Sequence, residues 1–201
     1  MVFNMAVDLV SVACVVGVAM AVLSNFIAGR AKRSFREQRS PVATFSMVFF
    51  AVLLFLTIRL RVGTVSMPAH PFVLIFRGTG SLIMLAGAAF NLWGRMSLRA
   101  NWSDHVRVYE DHFLVTGGPY RFVRHPLYAS LIWIFLGASA AYANWLAALG
   151  TLFVFVPAMM YRAGLEEKAL ADRFGGAYGK YAAITPRFFP RIRAARGGGD
   201  G

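Results

Sequence analysis

Apolar residues gather into five runs along the chain, and each run is long enough to cross a bilayer as a helix. The first run, residues 5–28, is interrupted only by Asp8, Ser11, Ser24 and Asn25. The other four runs cover residues 42–58, 72–94, 127–143 and 145–161. This pattern predicts an all-α, polytopic integral membrane protein with five transmembrane helices.

The last two runs are separated by Asn144 alone, so they are predicted to form an antiparallel helical hairpin. Pro157 lies in the second arm and predicts a kink there, because proline removes a backbone hydrogen bond. A tail helix over roughly residues 159–174 is expected to leave the membrane and to end at a glycine pair. Glu166 and Glu167 in this helix can both face the protein, because they border one apolar stripe.

Lysines and arginines are distributed asymmetrically between the two ends of the predicted helices. Eighteen lie after the first, third and fifth runs, whereas two, Arg59 and Arg61, lie after the second. The positive-inside rule therefore predicts an N-terminus outside and a C-terminus in the cytosol. The formal net charge of +12 is spread between the apolar runs, so it favours anionic lipid headgroups over nucleic acid as partners.

Isolated polar or reactive residues outside the polar turn described below have ordinary interpretations. For Arg77, near the start of the third run, snorkelling to the interface or a later helix start is favoured over a functional charge inside the membrane. Cys14 is the single cysteine, so no disulfide can form within the chain. His70, His105 and His112 lack metal-ligand spacing, and no metal is expected.

A polar turn precedes the fourth run and has the composition of a binding site. The stretch GGPYRFVRHPLY, residues 117–128, holds three cations and two phenols: Arg121, Arg124, His125, Tyr120 and Tyr128. Its glycine pair and first proline are typical of a turn, and its second proline suits the first turn of a helix. A helix N-terminus beside arginine and histidine favours an anionic ligand.

Three motifs follow one another in the second half of the chain: GPYRFVRHPLY, then Glu166-Glu167 in EEKALADRFGGAYGKY, then TPRFFP. In this order and spacing they resemble the isoprenylcysteine carboxyl methyltransferase family, which is related to the phospholipid N-methyltransferases. The similarity covers roughly residues 93–190. Ser130 stands two residues after the last tyrosine of the turn, where the family usually has glycine, and it is small enough to keep close packing.

The resemblance implies S-adenosylmethionine as the cofactor and S-adenosylhomocysteine as its product. It implies cofactor-binding roles for Tyr120, His125, Leu127, Tyr128 and Glu167. It also implies that Arg124 and Glu166 are the catalytic residues nearest the reacting groups. Arg124 is suited to orient an anionic acceptor through two parallel hydrogen bonds, and Glu166 would act as the base for an amine or thiol acceptor.

The implied protein is a single membrane methyltransferase domain over residues 1–190, with a cytoplasmic active site. Segments 95–126 and 162–190 would form the cofactor pocket, and residues 191–201 would be a disordered basic and glycine-rich tail. The expected acceptor is a lipophilic molecule that enters from the bilayer, an isoprenylcysteine-type carboxylate or a similar small lipid. Neither nucleic acid nor an obligate protein partner is expected.

Three other functions are compatible with parts of this pattern. A phospholipid N-methyltransferase is one, although the Gly-x-Gly that follows the turn in those enzymes is missing. An NADPH-dependent, sterol-reductase-like oxidoreductase would share an RHPxY-like turn, but the glutamate pair and the short tail favour the methyltransferase. A non-catalytic membrane scaffold would use the polar turn only as a structural element.

Overall fold

The computed structural model describes residues 2–29, 36–38, 41–65, 71–98, 106–108 and 114–190, and helices dominate it. They are α1 (Val2–Gly29), α2 (Pro41–Arg59), α3 (Pro71–Leu98), α4 (Pro126–Ala141), α5 (Trp145–Gly150), α6 (Val156–Phe174) and α7 (Gly176–Ile184). The helical prediction is thus confirmed for the described part of the chain. The predicted disordered tail, residues 191–201, lies outside the described residues.

Two strands of three residues each pair in the loops between the helices. β1 (Arg36–Gln38) runs antiparallel to β2 (Val106–Val108), with Arg36 opposite Val108. The sequence predicted no strand here, because three residues are too few for an alternation of apolar and polar side chains to stand out. The pairing joins the loop after α1 to the loop after α3.

Two helices of the described chain, Phe72–Leu98 and Trp145–Phe174, are long and apolar enough to cross a membrane. Met5–Val18 and Pro126–Ala141 are shorter apolar helices. Many large hydrophobic side chains along these helices are exposed, for example Phe153, and contact with lipid accounts for such a surface. The helices are consistent with a membrane protein, and their division into five spans stays a prediction.

The most extensive helix contact joins α3 to α4, and small residues line it. A Cβ atom added at Gly80 would lie 2.5 Å from the backbone nitrogen of Ala141. One added at Gly137 would lie 2.7 Å from the carbonyl oxygen of Gly80. Glycines at a helix contact let the two backbones approach closely, and the buried Met84 and Ile134 fill the interface around them. This contact fixes the polar turn, which leads into α4, beside the end of α3.

Arg77 lies inside α3, which begins at Pro71, so a later helix start is excluded. Its Nε donates a hydrogen bond of 2.9 Å to the carbonyl oxygen of Ala141, the last residue of α4. The last carbonyl groups of a helix lack partners within the helix and carry partial negative charge, which a cation stabilises. Arg77 therefore ties α3 to α4 at the end remote from the polar turn.

The connection between α4 and α5 comprises residues 142–144 rather than Asn144 alone, because α4 ends at Ala141. The buried Asn144 side chain accepts a hydrogen bond of 2.8 Å from the backbone N–H of Ala147 and so caps α5. Its amide nitrogen donates to the carbonyl oxygen of Val62 at 2.9 Å, in the turn after α2. A single buried amide thus positions two helix ends.

A π-helical turn, Thr151–Phe155, joins α5 to α6, so the helix is continuous over Trp145–Phe174. The membrane helix predicted over residues 145–161 and the tail helix predicted over residues 159–174 are therefore one element. Pro157, which predicted a kink, follows this wider turn. The π turn accommodates a residue that lacks an N–H and whose ring would collide with the preceding turn of an α-helix. The continuous helix carries the glutamate pair to the polar turn.

Candidate active site

The polar turn before α4 is fixed by its own backbone and by the end of α3. Gly118–Arg121 forms a short 3₁₀ helix with proline near its start. Gly118 has a φ of +60°, a value that residues with a side chain rarely adopt. A Cβ atom there would also lie 2.5 Å from Ser97 Oγ. Glycine is therefore required at this position, both for the turn and for its packing on α3.

The C-terminal segment lies along the polar turn and pairs with its backbone. The Arg124 N–H donates to the carbonyl oxygen of Pro186 at 2.8 Å. The His125 N–H donates to the carbonyl oxygen of Arg187 at 3.0 Å. Two motifs that are far apart in sequence, the turn and TPRFFP, therefore lie side by side.

Glu167 connects the turn, α6 and the C-terminal segment through hydrogen bonds. Its Oε1 accepts from Arg124 Nε at 3.1 Å and from Arg124 Nη2 at 2.9 Å, and it lies 3.1 Å from His125 Nε2. Arg187 Nη2 donates to Oε2 at 2.6 Å. Burial alone would raise the pKa of Glu167, but the hydrogen bonds from His125 and the two arginines outweigh it and hold this pKa well below its ordinary value. Glu167 is therefore a carboxylate at neutral pH.

Glu166 lies on the other side of His125. Its Oε2 is 3.4 Å from His125 Nδ1, and its Oε1 accepts a hydrogen bond from the Tyr128 hydroxyl. Arg162, one helical turn earlier, donates to the Tyr128 oxygen at 2.8 Å. Burial raises the pKa of Glu166, but the hydrogen bonds from His125 and Tyr128 outweigh it, so this pKa lies below its ordinary value. Both glutamates are thus ionised.

His125 lies between the two carboxylates and is itself buried. Each of its ring nitrogens faces a carboxylate oxygen, and an imidazole can donate to two acceptors only when it is protonated. Burial lowers the pKa of His125, but the hydrogen bonds and charges of Glu166 and Glu167 outweigh burial and raise this pKa above its ordinary value. The ring also stacks on Tyr128, with 5.6 Å between the centroids.

The guanidinium of Arg124 is engaged by the protein itself. Besides its bonds to Glu167, its Nη1 donates to the carbonyl oxygen of Ala182 at 2.9 Å and to that of Thr185. The fork that was predicted to orient an acceptor is thus directed at α6 and at the end of α7. The catalytic role of Arg124 stays a prediction, while its observed contacts join three elements of the site.

An open cleft adjoins these charged groups and contains about 440 Å³ of empty space, including its mouth. Aliphatic and phenolic side chains line it together with the two basic residues of the turn: Leu98, Leu114, Val115, Leu170, Tyr120, Tyr178, Tyr181, Arg124 and His125. The Tyr181 hydroxyl donates to the backbone carbonyl of Tyr120 at 2.6 Å. The buried Tyr178 hydroxyl makes no hydrogen bond of normal geometry with any described residue. Burial raises the pKa of Tyr178 to about 12, so its hydroxyl stays a neutral donor.

Most of the predicted site residues are in one place. A connected network of hydrogen bonds and ion pairs contains Arg124, His125, Tyr128, Glu166 and Glu167. Tyr120 is buried and lines the cleft beside this network. Leu127 instead packs towards α3, where a Cβ atom at Gly94 would lie 3.0 Å from its Cδ2. The individual roles of these residues stay predictions.

Three residues of the site were not included in the sequence-based prediction. Arg187 lies in TPRFFP, so its motif was an available signal. Arg162 precedes Glu166 by four residues, a spacing that ordinary surface pairs share, but its side chain is only 12% exposed. Tyr178 had no signal beyond its place in the tail. Within the described ranges, no group of three or more His, Cys, Asp or Glu residues is placed to hold a metal ion.

Comparison with known proteins gives matches over part of the chain. The sequence model of the isoprenylcysteine carboxyl methyltransferase (ICMT) family matches residues 80–172. The cobalt-zinc-cadmium resistance protein CzcN of Cupriavidus metallidurans is 37% identical over 90 residues, which are 44% of this chain and 40% of that protein. The protein-S-isoprenylcysteine O-methyltransferase of Schizosaccharomyces pombe is 34% identical over 83 residues, which are 41% of this chain and 35% of that protein.

The alignments with these two curated relatives thus cover two fifths of their length or less. The range that matches the family model contains the contact of α3 with α4, the polar turn and the glutamate pair. These are the elements that carry the charged network around His125. Over residues 80–172, this chain is thus similar to the isoprenylcysteine carboxyl methyltransferase family.

Proposed function

We propose that this protein transfers a methyl group from S-adenosylmethionine to a lipophilic acceptor embedded in the membrane. The acceptor is an isoprenylcysteine-type carboxylate or a similar small lipid. The observation that supports this most is the position of His125 between Glu166 and Glu167, beside an open cleft, in a segment that matches the model of this family. The two relatives carry different descriptions, so the choice of acceptor rests on the chemistry of the site.

The cleft suits the parts of S-adenosylmethionine, which when bound supplies an electrophilic methyl group on a sulfonium cation. Leu98, Leu114 and Leu170 offer apolar walls for a flat base. The Tyr178 hydroxyl is a buried donor that a polar group of the cofactor would satisfy. Two ionised glutamates next to the cleft attract a cation. We assign cofactor binding to Tyr120, His125, Leu127, Tyr128 and Glu167.

Arg124 and Glu166 lie nearest the reacting groups in this proposal. The lowered pKa of Glu166 makes it a weak general base at neutral pH. A carboxylate acceptor needs no base, because it carries no proton that must be removed, whereas an amine or a thiol does. The site therefore favours a carboxylate. Positioning and exclusion of water are then the main contributions of the protein.

We further propose five membrane spans, with the N-terminus outside and the active site in the cytosol. The charge asymmetry supports this arrangement. The pairing of β1 with β2 also supports it, because strands from the loops after α1 and α3 can pair only on one side of a membrane. Reporters fused after Gly201 and inserted at Arg36 should give cytoplasmic signals, and one at Gly63 an outside signal. A cytoplasmic signal at Gly63 would contradict five spans.

Thermal unfolding with two ligands tests the proposed function. S-adenosylhomocysteine should stabilise the purified protein, by about 2.7 kcal/mol at a hundredfold excess over its Kd. NADPH should leave the melting temperature unchanged. Stabilisation by NADPH alone would favour a sterol-reductase-like oxidoreductase, and stabilisation by neither ligand a membrane scaffold. Methylation of a phospholipid amine, but of no carboxylate, would favour a phospholipid N-methyltransferase.

A further inference from the structure

Tyr178 is a buried phenol in the wall of the cleft, on α7. It is 6% exposed, and its ring meets that of Tyr181 edge to face, with 6.3 Å between the centroids. The Tyr181 hydroxyl donates to the carbonyl oxygen of Tyr120 at 2.6 Å, whereas the enclosed Tyr178 hydroxyl has no such partner in the part of the chain that the structure describes. A buried hydroxyl without a partner costs stability, and a phenylalanine would pack in its place without that cost. The hydroxyl therefore indicates a ligand.

The three charged side chains that act on Tyr178 do not accept its proton. Burial raises its pKa to about 12, the charge of Glu167 adds to this, and the charges of Arg124 and Arg187 oppose it, so all three groups are close to the hydroxyl. The two arginines can only donate hydrogen bonds. Each oxygen of Glu167 already accepts from an arginine, Oε1 from Arg124 at 2.9 Å and Oε2 from Arg187 at 2.6 Å. The Tyr178 proton is thus left for an acceptor in the cleft.

The wall of the cleft near this hydroxyl carries positive charge. The charged side chains among the described residues that line the cleft are Arg124 and His125, and both are basic. Glu167 contacts both of them and Arg187 as well. One carboxylate cannot balance three cations, although Glu166 offsets part of the charge of His125. A phenol donor beside a surplus of positive charge suits a carboxylate, because hydrogen bonds to charged acceptors are the stronger ones.

We propose that the Tyr178 hydroxyl donates a hydrogen bond to the carboxylate of the bound cofactor, and that Tyr178 thereby selects ligands that carry this group. This inference rests on the proposed function. S-adenosylmethionine and its product each have one carboxylate, whereas the acceptors of their ribose and base are neutral. Tyr178 lies on α7, which follows the apolar helix Trp145–Phe174, so a soluble ligand reaches it more readily than a carboxylate anchored in the bilayer. Leu98 and Leu170 in the same cleft remain available to the base.

The experiment measures ligand affinity by calorimetry on the full-length protein in lipid nanodiscs. One ligand is S-adenosylhomocysteine, and the other is its decarboxylated analogue, which keeps the amine, the ribose and the base. The wild type should bind S-adenosylhomocysteine more tightly than the analogue. Tyr178→Phe should weaken binding of S-adenosylhomocysteine about 10- to 100-fold, the scale of a hydrogen bond to a charged group. Its affinity for the analogue should stay within about twofold of that of the wild type.

Tyr181→Phe is the matched control, because Tyr181 is also a buried phenol of α7 that lines the cleft. Its hydroxyl already donates to Tyr120, so this variant should have a lower melting temperature than the wild type. It should keep the wild-type preference for S-adenosylhomocysteine over the analogue. Ligand-free Tyr178→Phe should melt at the wild-type temperature or above it, since it removes a polar group that has no partner. The two variants thus separate a ligand-binding hydroxyl from a structural one.

Other results would contradict defined parts of this proposal. A lower melting temperature for ligand-free Tyr178→Phe would show that the hydroxyl has an acceptor within the protein. Equal losses of affinity for both ligands, or a wild type that binds both equally, would overturn the assignment to the carboxylate. Unchanged affinities with a higher KM for N-acetyl-S-farnesylcysteine, a lipophilic carboxylate, would move Tyr178 to the acceptor. A wild type that binds neither ligand would overturn the proposed function, and this inference with it.

Discussion

Arg124 donates two hydrogen bonds to one carboxylate oxygen of Glu167, from Nε at 3.1 Å and from Nη2 at 2.9 Å. The two residues are 43 positions apart, and their side chains are 12% and 13% exposed. A mostly buried ion pair of this kind is costly to break on one side, because the remaining charge loses its partner but stays buried. Loss of this ion pair would therefore destabilise both the polar turn and its packing on α6.

Glu167→Gln should lower the free energy of unfolding by about 3 kcal/mol, because Arg124 and His125 would lose the charge that balances them. It should also weaken binding of S-adenosylhomocysteine by about 1.5–3 kcal/mol, if Glu167 holds the cofactor. Thermal unfolding and calorimetry would measure the two effects. Asp172→Asn, which removes the same charge from an exposed position of α6, is the control. An unchanged melting temperature for Glu167→Gln would show that the ion pair contributes nothing.

Arg124→Lys should reduce methyl transfer to a carboxylate acceptor about 10- to 100-fold. A lysine keeps the charge but cannot reach Glu167, Ala182 and Thr185 at once, so the turn should also become less stable by about 2 kcal/mol. Turnover with labelled S-adenosylmethionine and thermal unfolding should be measured on the same sample. Full turnover together with reduced stability would show that Arg124 contributes to the structure of the site and has no catalytic role.

The stability that His125 contributes should depend on pH in a defined direction. Its pKa in the folded protein lies above the ordinary value of 6.5, so the contribution is complete below about pH 6.5 and is lost as the pH rises through the folded pKa. The difference in melting temperature between the wild type and His125→Gln should therefore shrink between pH 6 and pH 9. Glu167 titrates below its ordinary value of 4.5, so it does not change charge in this window. A difference that is constant with pH would contradict a raised pKa for His125.

Replacement of either of two helical glycines by alanine should change the stability of the protein, and the two changes should have opposite signs. Gly137→Ala should destabilise the protein by about 1–3 kcal/mol, because its Cβ would lie 2.7 Å from the backbone of α3. Gly164→Ala, in α6, would meet nothing within 4 Å and should stabilise the helix by up to about 1 kcal/mol through higher helix propensity. The melting temperatures of both variants and of the wild type should be compared in the same detergent. Equal shifts would show that α3 and α4 are not in backbone contact.

Local patterns were sufficient for most of the helices, and they were less accurate where helices meet. Apolar runs indicated α3 and α4 closely, because lipid-facing and core positions are both apolar. They divided the helix Trp145–Phe174 into a membrane part and a tail part, since the change from apolar to charged residues does not end a helix. Pro157 indicated an irregularity in this helix but not its form as a π turn. The contact of Arg77 with Ala141 left no mark on the sequence, because it depends on a neighbouring helix.

Through the resemblance of its motifs to the isoprenylcysteine carboxyl methyltransferase family, the sequence by itself predicted that the turn at residues 117–128 and the glutamate pair belong to one site. Only the tertiary structure decided how they meet. It placed His125 between both carboxylates, directed Arg124 to Glu167, and brought Arg187 and Tyr178 beside them. These contacts join residues that are 20 to 43 positions apart. Their geometry follows from the continuous helix and from the backbone contact of α3 with α4, which no local pattern of residues encodes.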